Sequence, residues 1–394
     1  MILYHTTTFG TTEQNSRSVA RAESARHRLS AWLAEHQGTA GLVLTGPAAV
    51  AWATGGIAPP VDRTAGVDLV WAVIWPSGAG LVTTEVEADR IRDEYGPLRH
   101  GFGEMAVVPW YEPDAFLRTA ESLAGAPTAR LASDGHPGFG LDASADLSAL
   151  RLALSAAEQE DMRDLGADAA AALEFALTGW SPGERDLDLQ ARCAAAIEAC
   201  GADSPVLIVG GDERVERYRH PMAVGAPVRR LAMAVAVVRR GGLHVAASRF
   251  ACTAPAEPAF AALRARVLGI ELAVLQASRP PHSYGTVLSA LDQAYARAGA
   301  PGGWAGHYQG GPIGYAQREF EIAPGQRDSR WHSEQVGIGH AVAWNPSLPG
   351  GAKAEDTYLV LAAGLERVTT SANWPVEPAA GILPPRPAVL EVSC

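Results

Sequence analysis

Hydrophobic positions change period repeatedly along this 394-residue chain. Residues 24–39 place Leu29, Trp32 and Leu33 on one face at helical spacing and predict a helix. Residues 41–45 form a short apolar run, a buried strand closed by the turn pair Gly46-Pro47. Residues 68–75 and 80–84 read as two strands joined through Pro76, Ser77 and Gly78, a hairpin signal. Trp71 and Trp75 share one side of the first strand, as core packing or a dimer seam. A polar helix at 85–95, a strand at 105–108, a helix at 113–123 and a strand at 128–132 continue the alternation.

The second half has a different rhythm. Ser155 and Glu158 have capping-box spacing ahead of an alanine-rich helix running to about residue 178. Ser181-Pro182-Gly183-Glu184 signals another helix, through 199. Strands follow, then helices at 257–277 and 283–298, then further strands to about 372. Long helices first and paired strands after predict an α+β domain. The expected organisation is an N-terminal arm (1–23), a smaller α/β domain (24–150), a larger α+β domain (151–372) and a proline-rich, extended tail (373–394).

Composition narrows the function. The net charge of −11 argues against a nucleic-acid partner, since phosphate binding needs clustered cations. The basic pairs Arg229-Arg230 and Arg239-Arg240 flank a predicted strand without forming a stripe. No apolar run reaches membrane-spanning length, and the first 23 residues lack the apolar core of a signal peptide. They are expected to be a flexible or partner-docked arm. Four cysteines without metal-type spacing imply reduced thiols in a cytoplasmic protein. Gly210-Gly211-Asp212-Glu213 lacks the spacing of a dinucleotide loop, so no cofactor is expected.

Of 32 basic residues, Lys353 is the only lysine. A lysine retained against such a bias suits a role for a compact ammonium that guanidinium cannot fill; the alternative is a chance survivor on a solvated loop. It stands in Lys353-Ala354-Glu355-Asp356. Other blocks precede it: Ala51-Trp52-Ala53-Thr54-Gly55, Arg219-His220-Pro221, Ala246-Ala247-Ser248-Arg249, Gly306-His307-Tyr308-Gln309-Gly310-Gly311-Pro312-Ile313-Gly314, and Trp344-Asn345-Pro346. In order and spacing they resemble the pita-bread family of aminopeptidase P, prolidase, methionine aminopeptidase and metal-free creatinase. The resemblance covers most of the chain. It implies a C-terminal pita-bread domain and a smaller creatinase-type N-terminal domain.

Peptidases of that family hold a pair of metal ions with two aspartates, a histidine and two glutamates. The matching positions here are Val235, Ala246, Gly311, Asn345 and Glu355, and only the last can be an anionic ligand. The resemblance therefore implies a metal-independent member, nearer in type to creatinase. By the same alignment His220 is the proton-transfer histidine, suited by a pKa near neutrality. Lys353 and Glu355 join it as catalytic candidates. Arg318 offers a fork for a carboxylate, or an ion pair with Glu319 or Glu321; Glu319 itself remains a candidate. His307 is a second acid/base or a packed histidine, and Gln309 lies in the same glycine-rich loop. Asn345 can hydrogen-bond an amide or carboxylate, and Trp344 walls the pocket or belongs to the core. Arg249 is expected to be structural. Arg63, in a proline-rich loop, matches an arginine that in creatinase reaches the neighbouring protomer's site, which implies a homodimer.

The leading expectation is C–N bond hydrolysis, or related elimination or cyclisation, on a small carboxylate-bearing substrate or short peptide, with no metal. Two other readings stay open: a catalytically dead, peptidase-like binding protein, and a divergent Xaa-Pro metallopeptidase using His220, His307, His340 and Glu355.

Overall fold

Amphipathic spacing begins earlier than residue 24. In the computed structural model, which describes residues 12–57, 61–112, 114–378 and 383–392, helix α1 spans Thr12–Glu35. Ala22, Ala25, Leu29, Trp32 and Leu33 form its buried stripe. Residues 12–23 are thus helix and not arm; the rest of the expected arm lies outside the described residues. The chain divides into two compact units, one running to Arg151 with Ser155–Glu158 and Gly241–Leu243, the other holding Leu152–Leu154, Gln159–Arg240 and the chain from His244.

In the first unit β1 (Gly41–Leu44) leads into α2 (Pro47–Thr54), which starts on proline and ends at Gly55 in the left-handed region. The predicted hairpin forms from β2 (Val70–Trp75) and β3 (Gly78–Thr84), antiparallel with Trp75 opposite Gly78. Next come α3 (Glu85–Arg90), β4 (Glu104–Val108), α4 (Ala115–Ala124), β5 (Leu131–Ser133), β6 (Leu141–Asp142) and α5 (Ser144–Leu152). The sheet is mixed, in the order β4-β3-β2-β1-β5-β6. Trp71 packs 4.9 Å from Phe116 within a cluster that includes Val43, Val82 and Leu131, and Trp75 packs against the same cluster. Both tryptophans serve the core.

The second unit is built on α6 (Ala156–Thr178), whose start carries the expected capping box: Ser155 N–H donates to Glu158 Oε2 at 2.6 Å. Helix α7 spans Asp186–Ala199, five residues later than predicted. Gly183 adopts φ +91°, so the Ser181–Glu184 signal belongs to a turn. Then follow β7 (Asp203–Gly211), α8 (Asp212–Arg217), β8 (Leu231–Arg240), β9 (Leu243–Cys252), α9 (Pro258–Ala277), α10 (Tyr284–Arg297), β10 (Gly310–Pro312), β11 (Ala341–Trp344), β12 (Asp356–Leu361) and β13 (Gly364–Arg367). The C-terminal segment adds β14 (Val376–Glu377), β15 (Arg386–Pro387) and β16 (Leu390–Glu391). It is not simply an extended tail, because β16 pairs with β9. Two four-stranded sheets result, β16-β9-β8-β7 and β10-β11-β12-β13.

Strand alternation decides which side chains meet the helices. Val342, Trp344, Tyr358 and Val360 enter one cluster with Val274, Leu288 and Leu291 of α9 and α10. Their neighbours Ala343 and Thr357 project the other way. There the sheets are tied together: Thr357 Oγ1 receives the Ala246 N–H at 2.8 Å, and the Ser248 N–H donates to the Glu355 carbonyl at 2.8 Å. Three members of the basic pairs are held in ion pairs, Arg239 with Asp203, Arg240 with Asp168, and Arg230 with Glu213 and Glu257. No helix among the described residues is long and apolar enough to cross a membrane.

Candidate active site

Where the two sheets meet, the second unit holds a cavity of about 430 Å³. Five residues singled out in the sequence line it: His220, Arg318, Asn345, Lys353 and Glu355. Each arrives from a different local context. His220 sits in the loop after α8, Asn345 just beyond β11, and Lys353 and Glu355 alternate on the approach to β12. Much of the remaining lining is apolar. Val206 and Ile208 of β7 stand opposite Val237 and Val235 of β8, and Ala246 and Ala343 lie alongside.

Lys353, Glu355 and Asn345 are buried, Arg318 is half-buried and His220 is exposed at the edge of the cavity. Lys353 is 6% exposed and Glu355 5%. Burial drives the Lys353 ammonium below its ordinary pKa, opposed by Glu355 and assisted by Arg219 and Arg318. Burial likewise pushes Glu355 up, opposed by Lys353, Arg318 and hydrogen bonds from Ser248 and Asn345. His220 is lowered by desolvation and by the charges of Lys353, Arg219 and Arg318, which favours neutral imidazole. Among the described residues, Asn345 Oδ1 and Arg318 Nε are buried without a hydrogen-bond partner. Such groups cost free energy unless a ligand or water satisfies them.

The other candidates stand outside this cavity. Trp344 is core: its Nε1 donates to Ser278 Oγ at 3.0 Å, and its ring points away because Ala343 and Asn345 take the cavity face. Glu319 accepts the N–H groups of Tyr315 and Ala316 at 2.8 and 3.2 Å, bracing the turn before it. Gln309 receives the Tyr295 hydroxyl at 3.0 Å and donates to the Trp304 carbonyl at 2.8 Å. His307 and Arg219 both hydrogen-bond the Ser347 hydroxyl, and burial lowers His307 to about 4. This network supports the short bridge between Ser347 and Lys353. His340 lies beside Tyr284 and is held at about 4 by burial. Arg249 is structural, with its guanidinium on Asp356, the Ser248 carbonyl and the Thr369 carbonyl. Arg318 pairs with Glu321 at 3.7 Å and lies over the Tyr308 ring. Arg63 is exposed in the first unit. Sequence reading did not single out Met222, or Val206, Ile208 and Val237 of β7 and β8; for the strand residues the only signal was ordinary strand alternation.

No protein-family model matches the sequence, and no curated protein matches it either. Solved structures do. Dipeptidase PepE from Mycobacterium ulcerans superposes with TM-score 0.71 at 20% identity, covering 95% of this chain and 98% of that one. This is the pita-bread fold. The prolidase from Pyrococcus horikoshii OT3 gives 0.68 at 14% identity, covering 88% and 98%. The N-terminal domain of the FACT complex subunit SPT16 from Cicer arietinum (chickpea) gives 0.64 at 11%, covering 91% and 96%.

The metal pair of pita-bread peptidases does not fit the donors of this chain. By the resemblance drawn from the sequence, Val235, Ala246 and Asn345 stand at ligand positions of the family; all three line the cavity, and Gly311 offers only backbone. Glu355 alone can supply an anionic oxygen, and hard divalent cations need several. Among the described residues, no group of three or more His, Cys, Asp or Glu is placed to hold a metal ion.

Proposed function

We propose that this pita-bread protein is a metal-independent enzyme of the creatinase and aminopeptidase P type. Its reaction is C–N bond hydrolysis on a small carboxylate-bearing substrate, or related acid/base chemistry such as elimination or cyclisation. One observation carries the reading: one cavity, open to solvent at its mouth, gathers His220, Lys353, Glu355, Asn345 and Arg318. Neutral His220 takes a proton from water as its oxygen bonds the electrophilic carbon. The C–N bond then breaks and the proton passes to the leaving nitrogen. Lys353 and Arg318 face the negative charge that develops, the electrostatic contribution that weighs most in such reactions. Glu355, whose burial favours the protonated form, serves as a second acid.

The decisive experiment is a mass-spectrometric screen of N-acyl, amidino and ureido carboxylic acids, with and without chelator. Turnover that survives chelation and vanishes in His220→Ala supports the proposal. Turnover that chelation removes and divalent metal restores rejects it.

A second reading, a binding protein without turnover, is supported by the likeness to the SPT16 domain, which is named as part of a complex subunit. The proposal also includes a homodimer in which Arg63 of one copy serves the other's cavity. Mixing Arg63→Ala with His220→Ala protein then regenerates intact sites; inactivity of the mixture rejects the arrangement.

A further inference from the structure

The cavity is divided chemically, and the division specifies a ligand. Its apolar part is a patch of four β-branched side chains in two cross-strand pairs, Val206 with Val237 and Ile208 with Val235. Residues two apart on a strand share a face, so the four present one continuous surface. Val235 and Ala246 occupy positions where a metallopeptidase would carry aspartates. Volume that a metal pair would fill is therefore bounded by hydrocarbon. Met222 and Tyr308, 53% and 67% exposed, extend the apolar lining to the mouth.

The polar part carries an unbalanced charge. Lys353 and Arg318 line the cavity with two cations, and Glu355 is the one carboxylate there. Glu321, 3.7 Å from Arg318 Nε, does not line it and is 47% exposed, so its charge is screened by solvent. A ligand bearing negative charge offsets this excess of cations. Two unsatisfied atoms then fix its hydrogen-bonding pattern. Arg318 Nε is a buried donor in need of an acceptor. Asn345 Oδ1 is a buried acceptor in need of a donor.

We propose that the cavity binds an N-acylated hydrophobic α-amino acid, its carboxylate between Lys353 and Arg318, its amide N–H on Asn345 Oδ1, and its side chain on the Val206, Ile208, Val235 and Val237 patch. A free dipeptide fits less well, because its ammonium would need a second carboxylate in the cavity. This assignment rests on the cavity being the substrate site, as argued above.

Calorimetric titration with N-acetyl-L-leucine, N-acetylglycine, N-acetyl-L-leucinamide and L-alanyl-L-leucine tests it without requiring turnover. A buried methylene contributes about fourfold in affinity, so N-acetyl-L-leucine should bind more than about tenfold tighter than N-acetylglycine. It should exceed the uncharged leucinamide by about tenfold or more. Val235→Asp should abolish the leucine preference. Should that variant not fold, the half-buried Val237→Thr should reduce it. Equal affinity across the series, preference for the amide or the dipeptide, or no binding by any of the four overturns the inference. Tight N-acetyl-L-leucine binding with no turnover in the wider screen defeats the enzymatic reading and leaves this one standing. Turnover confined to small polar acids does the reverse.

Discussion

Ser248 and Glu355 are joined twice: the Ser248 N–H donates to the Glu355 carbonyl at 2.8 Å, and the Ser248 hydroxyl donates to Glu355 Oε2 at 3.2 Å. The first bond couples β9 to the approach of β12, and the second favours the ionised form of the one carboxylate in the cavity, against the burial that raises its pKa.

Ser248→Ala removes only the side-chain bond. The hydroxyl favours the ionised form, so its loss should raise the Glu355 pKa further and move the alkaline limb of the pH–rate profile upward, since a group acting as an acid must stay protonated. Stability should fall by about 1 kcal/mol. An unshifted limb would show that Glu355 does not titrate in the reaction.

Lys353→Arg and Glu355→Gln separate catalyst from binding protein. Lys353 is enclosed, and a guanidinium is larger, flatter and far less able to give up its proton. A catalyst should lose about 100-fold or more in kcat/KM in either variant. A binding protein should keep ligand affinity within a few-fold. Circular dichroism confirms that the variants are folded.

Arg249→Met should be the most damaging of these changes to the fold. Its guanidinium lies 2.9 Å from Asp356 Oδ1 with both groups buried. Leaving that carboxylate unpaired costs about 3–5 kcal/mol, read as a lower urea midpoint. Adding Asp356→Asn should recover part of the loss; no recovery would place the damage in packing instead.

Glu271 should give stability an unusual pH dependence. Burial raises its pKa to about 7, with Arg386, 3.2 Å away, opposing the shift. The folded state therefore keeps a proton that the unfolded chain releases near its ordinary value of 4.5. This contribution is fully present below 4.5 and is lost as pH rises to about 7. It amounts to up to about 3 kcal/mol. Glu271→Gln should flatten that portion of the stability curve, measured as the difference from the parent protein.

Particular residues show where sequence suffices. The hairpin at Pro76-Ser77, the Ser155–Glu158 box and the bounds of α9 and α10 are local: turn chemistry, a cap and helical period fix them within a few residues. The start of α7 was misplaced because Ser181-Pro182-Gly183-Glu184 resembles a cap, while Gly183 at φ +91° makes it a turn. Residues 12–23 read as an arm because their polar surface outweighs the sparse apolar signal, of which Ala22 is the buried member.

The site divides in the same way. The resemblance read from the sequence set Val235, Ala246, Gly311 and Asn345 at the family's metal-ligand positions, and residue identity showed that none of the four carries an anionic or imidazole donor. It also marked Lys353 as unusual. Which candidates share a cavity was decided only by tertiary structure. Trp344 and Asn345 are adjacent in the chain yet face opposite sides of a strand end, one toward α9 and α10 and one toward the cavity. Glu319 follows Arg318 directly but spends its oxygen on the turn at Tyr315. Val206, Ile208, Val235 and Val237 became one apolar wall of the cavity only when antiparallel register set Val206 against Val237 and Ile208 against Val235. Proximity among residues far apart in sequence arises from packing, and no local pattern encodes it.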